Sequence, residues 1–226
     1  MIVIVDYGMG NLRSVQKALE RVGCAAQVSD KPEAVAAADR LVVPGVGAFG
    51  DAMTALRQRG LVDPIRDFSR RGRPLLGICL GLQVFFDESE EMPRGCAATP
   101  PAGASAGAGL EKGLGLVPGR VVKFGPQVVE QGFKVPHMGW NAVEPVGGSS
   151  LFEGLVPPAG SRGVYFYFAH SYYAVPRRED VVAGRTDYGG RFTSAITAGN
   201  IYATQFHPEK SQAAGLALLK NFVTRT

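Results

Sequence analysis

The sequence predicts an α/β protein, a mostly parallel open sheet flanked by helices, with a strand-rich C-terminal half. Three observations carry this. Short apolar runs at Ile2–Val5, Leu41–Val43 and Pro74–Ile78 lack the polar alternation of a strand with one wet face, so they suit strands buried on both faces. Between them apolar residues recur at helical spacing, and strand–helix alternation points to parallel strands with helices packed on the sheet. Beyond residue 110 the helical spacing gives way to closely spaced strand-like segments.

After the first strand, Asp6 to Asn11 reads as a polar turn. Leu12, Val15, Leu19 and Val22 then follow helical spacing, and Gly23 stops the helix. Ala26–Ser29 is the second strand, followed by a short Ala-rich helix after Pro32. Leu41–Val43 forms a third strand that ends at Pro44. Residues 51–71 read as helix, broken before Pro64. Pro74–Ile78 is a strand and Leu80–Glu88 a helix. Every residue from 95 to 109 is Gly, Ala, Pro, Ser, Thr or Cys, too small and uncharged to order itself, which predicts a mobile inserted loop. Strands are then expected at Leu114–Phe124, Val135–Val146, Val164–Val175, Val181–Thr186 and Ile201–Phe206, with a hairpin turn at Tyr188-Gly189-Gly190. A final helix over Ser211–Phe222 places Leu216, Leu219 and Phe222 on one face. No linker divides the chain, so residues 1–226 read as one domain.

Composition excludes several function classes. Of 226 residues, 46% are apolar and 19% charged, which is ordinary for a folded domain and rules out disorder over most of the length. No apolar run reaches the roughly 18 residues that span a bilayer, and the N-terminus has no signal-peptide pattern. Three cysteines, an odd number, argue for a reducing compartment and a cytoplasmic protein. The net charge of +4 has one visible basic cluster, Arg66 to Arg73, which Asp67 and apolar residues interrupt; nucleic acid is not expected. Cys24, Cys79 and Cys96 form no C-x-x-C pair, and Asp87 to Glu91 reads as a solvated helix end, so no metal or cofactor is expected. Cys24 reads as a packed residue and Cys96 as an exposed thiol in the small-residue stretch.

Chemistry gathers at Gly77-Ile78-Cys79-Leu80-Gly81. A cysteine between an apolar strand and a helix, with glycine two residues before and after, has the form of a nucleophile elbow. The bend strains the backbone of Cys79 and sets its sulfur at a helix N-terminus, which favours thiolate. The Leu80 amide is then aimed at a developing oxyanion. A packed core cysteine is the alternative. Among only three histidines, His207 precedes Pro208, which biases it to an extended backbone. Glu209, two residues on, then lies on the same side and can orient the ring, giving Cys79, His207 and Glu209 as nucleophile, base and orienter. Alone, His207-Pro208-Glu209 reads first as a surface turn; joined to the elbow, the balance reverses. Pro44-Gly45-Val46-Gly47 follows a buried strand, where ligands bind in open α/β sheets. Its Val46 or Gly47 amide is a candidate second oxyanion donor; an ordinary strand-to-helix turn is the alternative.

With these residues in place the sequence resembles the class I, triad-type glutamine amidotransferases. Asp6-Tyr7-Gly8-Met9-Gly10-Asn11, Pro136-His137-Met138-Gly139-Trp140-Asn141 and His170-Ser171-Tyr172 narrow the resemblance to the glutaminase subunits of imidazole glycerol phosphate synthases, over nearly the whole chain. The resemblance implies flavodoxin-like layering and hydrolysis of glutamine through a thioester on Cys79. It implies that Gln83, Gly47, Ser171 and Tyr172 hold glutamine. Asn11, His137, Trp140, Asn141 and Lys210 would face a (β/α)8-barrel cyclase that forms a heterodimer with the chain and takes its ammonia. A glutaminase for another synthase, a stand-alone γ-glutamyl hydrolase and a non-catalytic binding module are the competing readings.

Overall fold

A computed structural model describes residues 1–93 and 110–226. The expected loop at 95–109, with Cys96, lies outside the described residues. In chain order the elements are β1 (Ile2–Val5), α1 (Leu12–Arg21), β2 (Ala26–Ser29), α2 (Pro32–Ala37), β3 (Arg40–Gly45), α3 (Phe49–Gln58), α4 (Val62–Arg70), β4 (Leu75–Cys79) and α5 (Leu80–Val84). Then come β5 (Phe86–Ser89), β6 (Glu111–Lys112), β7 (Val117–Lys123), α6 (Pro126–Glu130), β8 (His137–Pro145), β9 (Val164–His170), β10 (Tyr172–Pro176), β11 (Val182–Asp187), β12 (Arg191–Ala198), β13 (Ile201–Thr204) and α7 (Gln212–Arg225).

The sheet begins with a parallel half in the order β2-β1-β3-β4-β13. It continues through antiparallel β12, β10 and β7 to β5 and β6 at the far edge, while β11, β8 and β9 form a branch from β12. Each strand of the parallel half except the edge strand β2, whose Ala26 and Val28 join only one cluster, feeds two cores. Along β1, Val3 and Val5 enter one cluster, with Val35, Phe49, Met53, Ile65 and Phe68 from α2, α3 and α4. Ile2 and Ile4 enter the other, with Val15 and Leu19 of α1 and Leu218, Leu219 and Phe222 of α7. That double burial is why these strands read as unbroken apolar runs. On α7, Leu218 takes the fully buried place expected of Leu216, which is only half-buried.

Three boundaries differ from expectation for identifiable reasons. Strand β3 continues through Pro44 to Gly45 because its pairing with β1 stops at Val42; beyond it, no neighbour on that side needs the missing N–H. The expected helix Leu80–Glu88 stops at Val84, and Phe86–Ser89 is a strand that pairs with β7 and β6. Asp87 to Glu91 is therefore not a helix end. The expected single strand Val164–Val175 is two, β9 and β10, separated at Ser171. The break before Pro64 falls at Arg59–Leu61, and Pro64 sits in the first turn of α4, where a missing N–H costs nothing.

Candidate active site

Cys79 is the last residue of β4 and sits at φ 55°, ψ −107°, a left-handed backbone that side chains other than glycine rarely adopt. The flanking glycines make the bend possible by their lack of bulk. A Cβ on Gly81 would lie 1.7 Å from the Val43 carbonyl oxygen, and one on Gly77 would lie 2.7 Å from the Phe85 ring. Leu80 opens a helix of only five residues, so the helix field at the sulfur is shorter than the sequence suggested. Strand register supplies the neighbours instead. Gly45 of β3 pairs with Cys79, and Thr204 of β13 pairs with Ile78. The Val46–Gly47 loop and the Gln205–Glu209 segment thus emerge on either side of the sulfur, at the C-terminal edge of the parallel strands.

The second segment is fixed to β9. His207 donates its backbone N–H to the Tyr167 carbonyl (2.9 Å), and the Ser211 hydroxyl donates to the His207 carbonyl (2.6 Å). Pro208–Lys210 forms a 3-10 turn rather than an extended strand, yet His207 itself is extended and the expected contact exists. His207 Nδ1 lies 2.8 Å from Glu209 Oε1, with both side chains 2% exposed. Nδ1–H therefore points at the carboxylate and Nε2 at the other side of the ring, where it is buried without a well-formed hydrogen bond. Burial disfavours the charged ring. The charge of Cys79, contact with its sulfur and the Glu209 carboxylate outweigh that and raise His207 to about 10. The sulfur also accepts from Gln205 Nε2 at 3.7 Å, and as a thiol donates to the Ala169 carbonyl at 3.9 Å.

A cavity of about 170 Å3 opens at the sulfur and is lined by Val46, Gly47, Cys79, Leu80, Gln83, Ser171 and Tyr172, together with Glu91 and His170. All the expected oxyanion and substrate residues meet here. The space is small against the roughly 300–1,000 Å3 of sites for drug-sized ligands, and suits a smaller guest. Gln83 Nε2 donates to the Tyr172 carbonyl (2.9 Å) and to Gln205 Oε1 (3.1 Å). Both its N–H bonds are used, so Gln83 meets a guest only as an acceptor. Glu91 accepts the Phe49 N–H at 2.9 Å, and burial, with Asp51 repelling, raises its carboxyl pKa.

The residues expected on a partner face divide. Trp140 is 47% exposed and Met138 63% exposed on one side of β8. Trp140 meets the edge of Tyr167 at 6.3 Å, and Lys210 Nζ stands 5.8 Å from the same ring. Asn11 is exposed and caps α1 by accepting the Ser14 N–H. His137 does not share that face. Strand alternation turns it inward, where it is 2% exposed and stacked between Phe168 and Tyr188. Asn141, four residues on, shares its side and is half-buried.

Sequence reasoning missed four residues: Gln205, His170, Tyr7 and Glu91. Gln205 was within reach, because the two-residue rule that pairs His207 with Glu209 also runs back to Gln205. Tyr7 is fully buried with an unpartnered hydroxyl; a Cβ on Gly45 would come within 2.1 Å of that oxygen.

Residues 3–226 match the family model for glutamine amidotransferase class-I. The chain belongs to the class-I glutamine amidotransferases. It is 51% identical to the imidazole glycerol phosphate synthase subunit HisH of Syntrophotalea carbinolica, over 98% of both chains. It is 50% identical to the protein of that name from Moorella thermoacetica, over 98% of this chain and 93% of the other. Among solved structures, a glutamine amidotransferase superposes with a TM-score of 0.67 at 21% identity over 99% of each chain. The PurLQS structure from Thermotoga maritima superposes with 0.68 at 17% identity over 99% of this chain and 97% of that one; at such identities the likeness is one of fold. In this amidotransferase no helix among the described residues is long and apolar enough to cross a membrane.

Proposed function

We propose that this amidotransferase is the glutaminase subunit of imidazole glycerol phosphate synthase, in histidine biosynthesis, and that Cys79, His207 and Glu209 carry its chemistry. The names of the most similar relatives support the first part. The observation behind the second is a buried imidazole held between the Glu209 carboxylate and the Cys79 sulfur, with its pKa raised to about 10.

The steps follow from that pairing. The Cys79 thiolate attacks the side-chain carboxamide carbon of glutamine. The carbonyl oxygen becomes an oxyanion facing the Leu80 amide and the Val46–Gly47 strand end. The His207 imidazolium gives its proton to the amide nitrogen, the C–N bond breaks, and ammonia leaves a γ-glutamyl thioester on Cys79. Water then attacks the thioester while neutral His207 takes its proton; the C–S bond breaks and glutamate departs. Glu209 keeps Nδ1 protonated throughout, so Nε2 always does the transfer. Gln83 Oε1, Gly47, Ser171 and Tyr172 hold the amino-acid end, and the Glu91 carboxylate suits its α-ammonium.

Ammonia released to water becomes ammonium, which is no nucleophile, so the product calls for direct hand-over. A (β/α)8-barrel cyclase in a heterodimer is the receiving subunit, and Asn11, Met138, Trp140 and Lys210 form the chain's contact for it. The test is Cys79→Ala. Ammonia release from glutamine in the assembled enzyme is expected to fall by at least about a thousandfold while assembly persists. Undiminished release removes Cys79 as nucleophile.

A further inference from the structure

The two histidines that the reaction does not use, His137 and His170, are buried side by side, with His170 in the wall of the cavity. His137 Nδ1 lies 3.1 Å from His170 Nε2, and His170 Nδ1 lies 2.8 Å from the Tyr172 carbonyl oxygen. A carbonyl only accepts, so His170 Nδ1 carries a proton. Burial pushes His170 down to about 3 and His137 to about 4, so both rings are neutral at physiological pH. A neutral His170 with a proton on Nδ1 accepts at Nε2, and His137 is the donor through its own Nδ1. His137 Nε2 is then an acceptor, and Asn141 Nδ2 faces it at 3.3 Å. The Asn141 amide is fixed in that sense, because its Oδ1 accepts the Ala142 N–H (2.8 Å) and its Nδ2 donates to the Asp187 carbonyl (2.9 Å). Two independent backbone anchors, at Ala142 and at Tyr172, thus dictate the same tautomers.

The Tyr172 carbonyl is a junction. It takes the His170 N–H and also the Gln83 N–H (2.9 Å). With one Gln83 N–H committed there, the other donates to Gln205 Oε1 (3.1 Å). That fixes the Gln205 amide with its nitrogen toward Cys79, 3.7 Å from the sulfur. Every member of the series has one orientation, and the series ends as a donor on the nucleophile.

We propose that Gln205 is a further catalytic residue, whose N–H steadies the Cys79 thiolate, and that His170 and His137 are positioning residues, locked as Nδ1–H tautomers, that hold the Tyr172 carbonyl and Gln83 so that Gln205 presents that N–H. The inference rests on the reading of Cys79 as nucleophile. The Ala169 carbonyl 3.9 Å from the sulfur favours the thiol, so a donor on the opposite account has something to offset. Besides His207 and Tyr7, which interact with the sulfur, the titratable residues Glu91, Tyr172 and His170 line its cavity; of these only His170 changes in the variants below, and because it is neutral its replacement removes no charge.

The test alkylates the full-length chain with iodoacetamide across pH and reads the Cys79 peptide by mass spectrometry, apart from those of Cys24 and Cys96. Gln205→Met keeps length and loses the N–H. Its alkylation midpoint is expected about one pH unit above that of the parent chain, a tenfold loss of thiolate preference. His170→Phe is expected to move the midpoint the same way. His170→Asn, which restores a donor at the Nδ1 position, moves it less than the Phe variant. A role confined to packing would lower stability and leave the midpoint where it was; an unmoved midpoint in Gln205→Met overturns the proposal. A second measurement needs no variant. Nitrogen NMR of the 15N-labelled chain is expected to show protonated Nδ1 and bare Nε2 on both His137 and His170, and the reverse tautomer on either ring also overturns it. Failure of the nucleophile reading shows separately, as ammonia release that survives Cys79→Ala.

Discussion

His207 gains charge on folding and His137 and His170 lose it, and the two changes have opposite pH signatures. The folded pKa of His207, about 10, lies above its ordinary 6.5, so the native state holds a proton there that the unfolded chain releases. The stabilisation this gives is complete below about pH 6.5 and is lost as pH rises toward 10. His137 and His170, at about 4 and 3, resist protonation in the folded chain. Their contribution is present above about pH 6.5 and is lost as pH falls through 4 toward 3. Urea midpoints are therefore expected to peak near pH 6.5 as far as these three groups decide it. Glu209→Gln should flatten the alkaline limb only. The same residue acts on the rate: with an imidazolium as the acid, ammonia release should hold from pH 7 to about 9 and fall approaching 10. In Glu209→Gln the fall should begin at lower pH, at a rate reduced about tenfold or more across the range.

Elements fix where these residues stand, and the bend between β4 and α5 is the tightest of them. Gly81→Ala pushes a methyl group into the Val43 carbonyl and should cost about 3 kcal/mol or more, read as a lower urea midpoint at unchanged slope. The two glycines and the cysteine between them were legible because a space requirement is written locally, in residue type and spacing. The end of α5 was not. Leu80 to Phe86 is apolar but for Gln83 and fits a buried helix or a buried strand equally, and the choice is made by pairing with β7, more than thirty positions away. His137 shows the same limit on a finer scale. Its neighbours Met138 and Trp140 do face outward, but a two-residue period sends adjacent side chains to opposite faces, so a motif read as one block splits across the sheet. The link from His137 through His170 to Gln83 and Gln205 spans four separate stretches of chain, and nothing in any one of them announces the others.

At the scale of the whole molecule, Cys79 is flanked by both halves of the chain, and the exposed aromatic face lies on the β8–β9 branch close to the turn that carries His207. Lys210 belongs to that turn and stands over Tyr167, whose carbonyl takes the His207 N–H. Contact made by Trp140 is thus adjacent to the mounting of the base. Trp140→Ala is expected to weaken binding of the proposed cyclase partner by about tenfold or more, measured by calorimetric titration, with the circular dichroism of the free chain unchanged. Unaltered binding would move the contact elsewhere.

Strand β13 is the last of the sheet to be synthesised, yet it lies in the interior of the order, between β4 and β12. Until residues 201–209 leave the ribosome and slide into that slot, the thiol has no base and no amide donor beside it. If the proposed triad holds, a nascent or prematurely ended polypeptide has Cys79 without His207 and Gln205 beside it, and unfinished chains are expected to release no ammonia from glutamine.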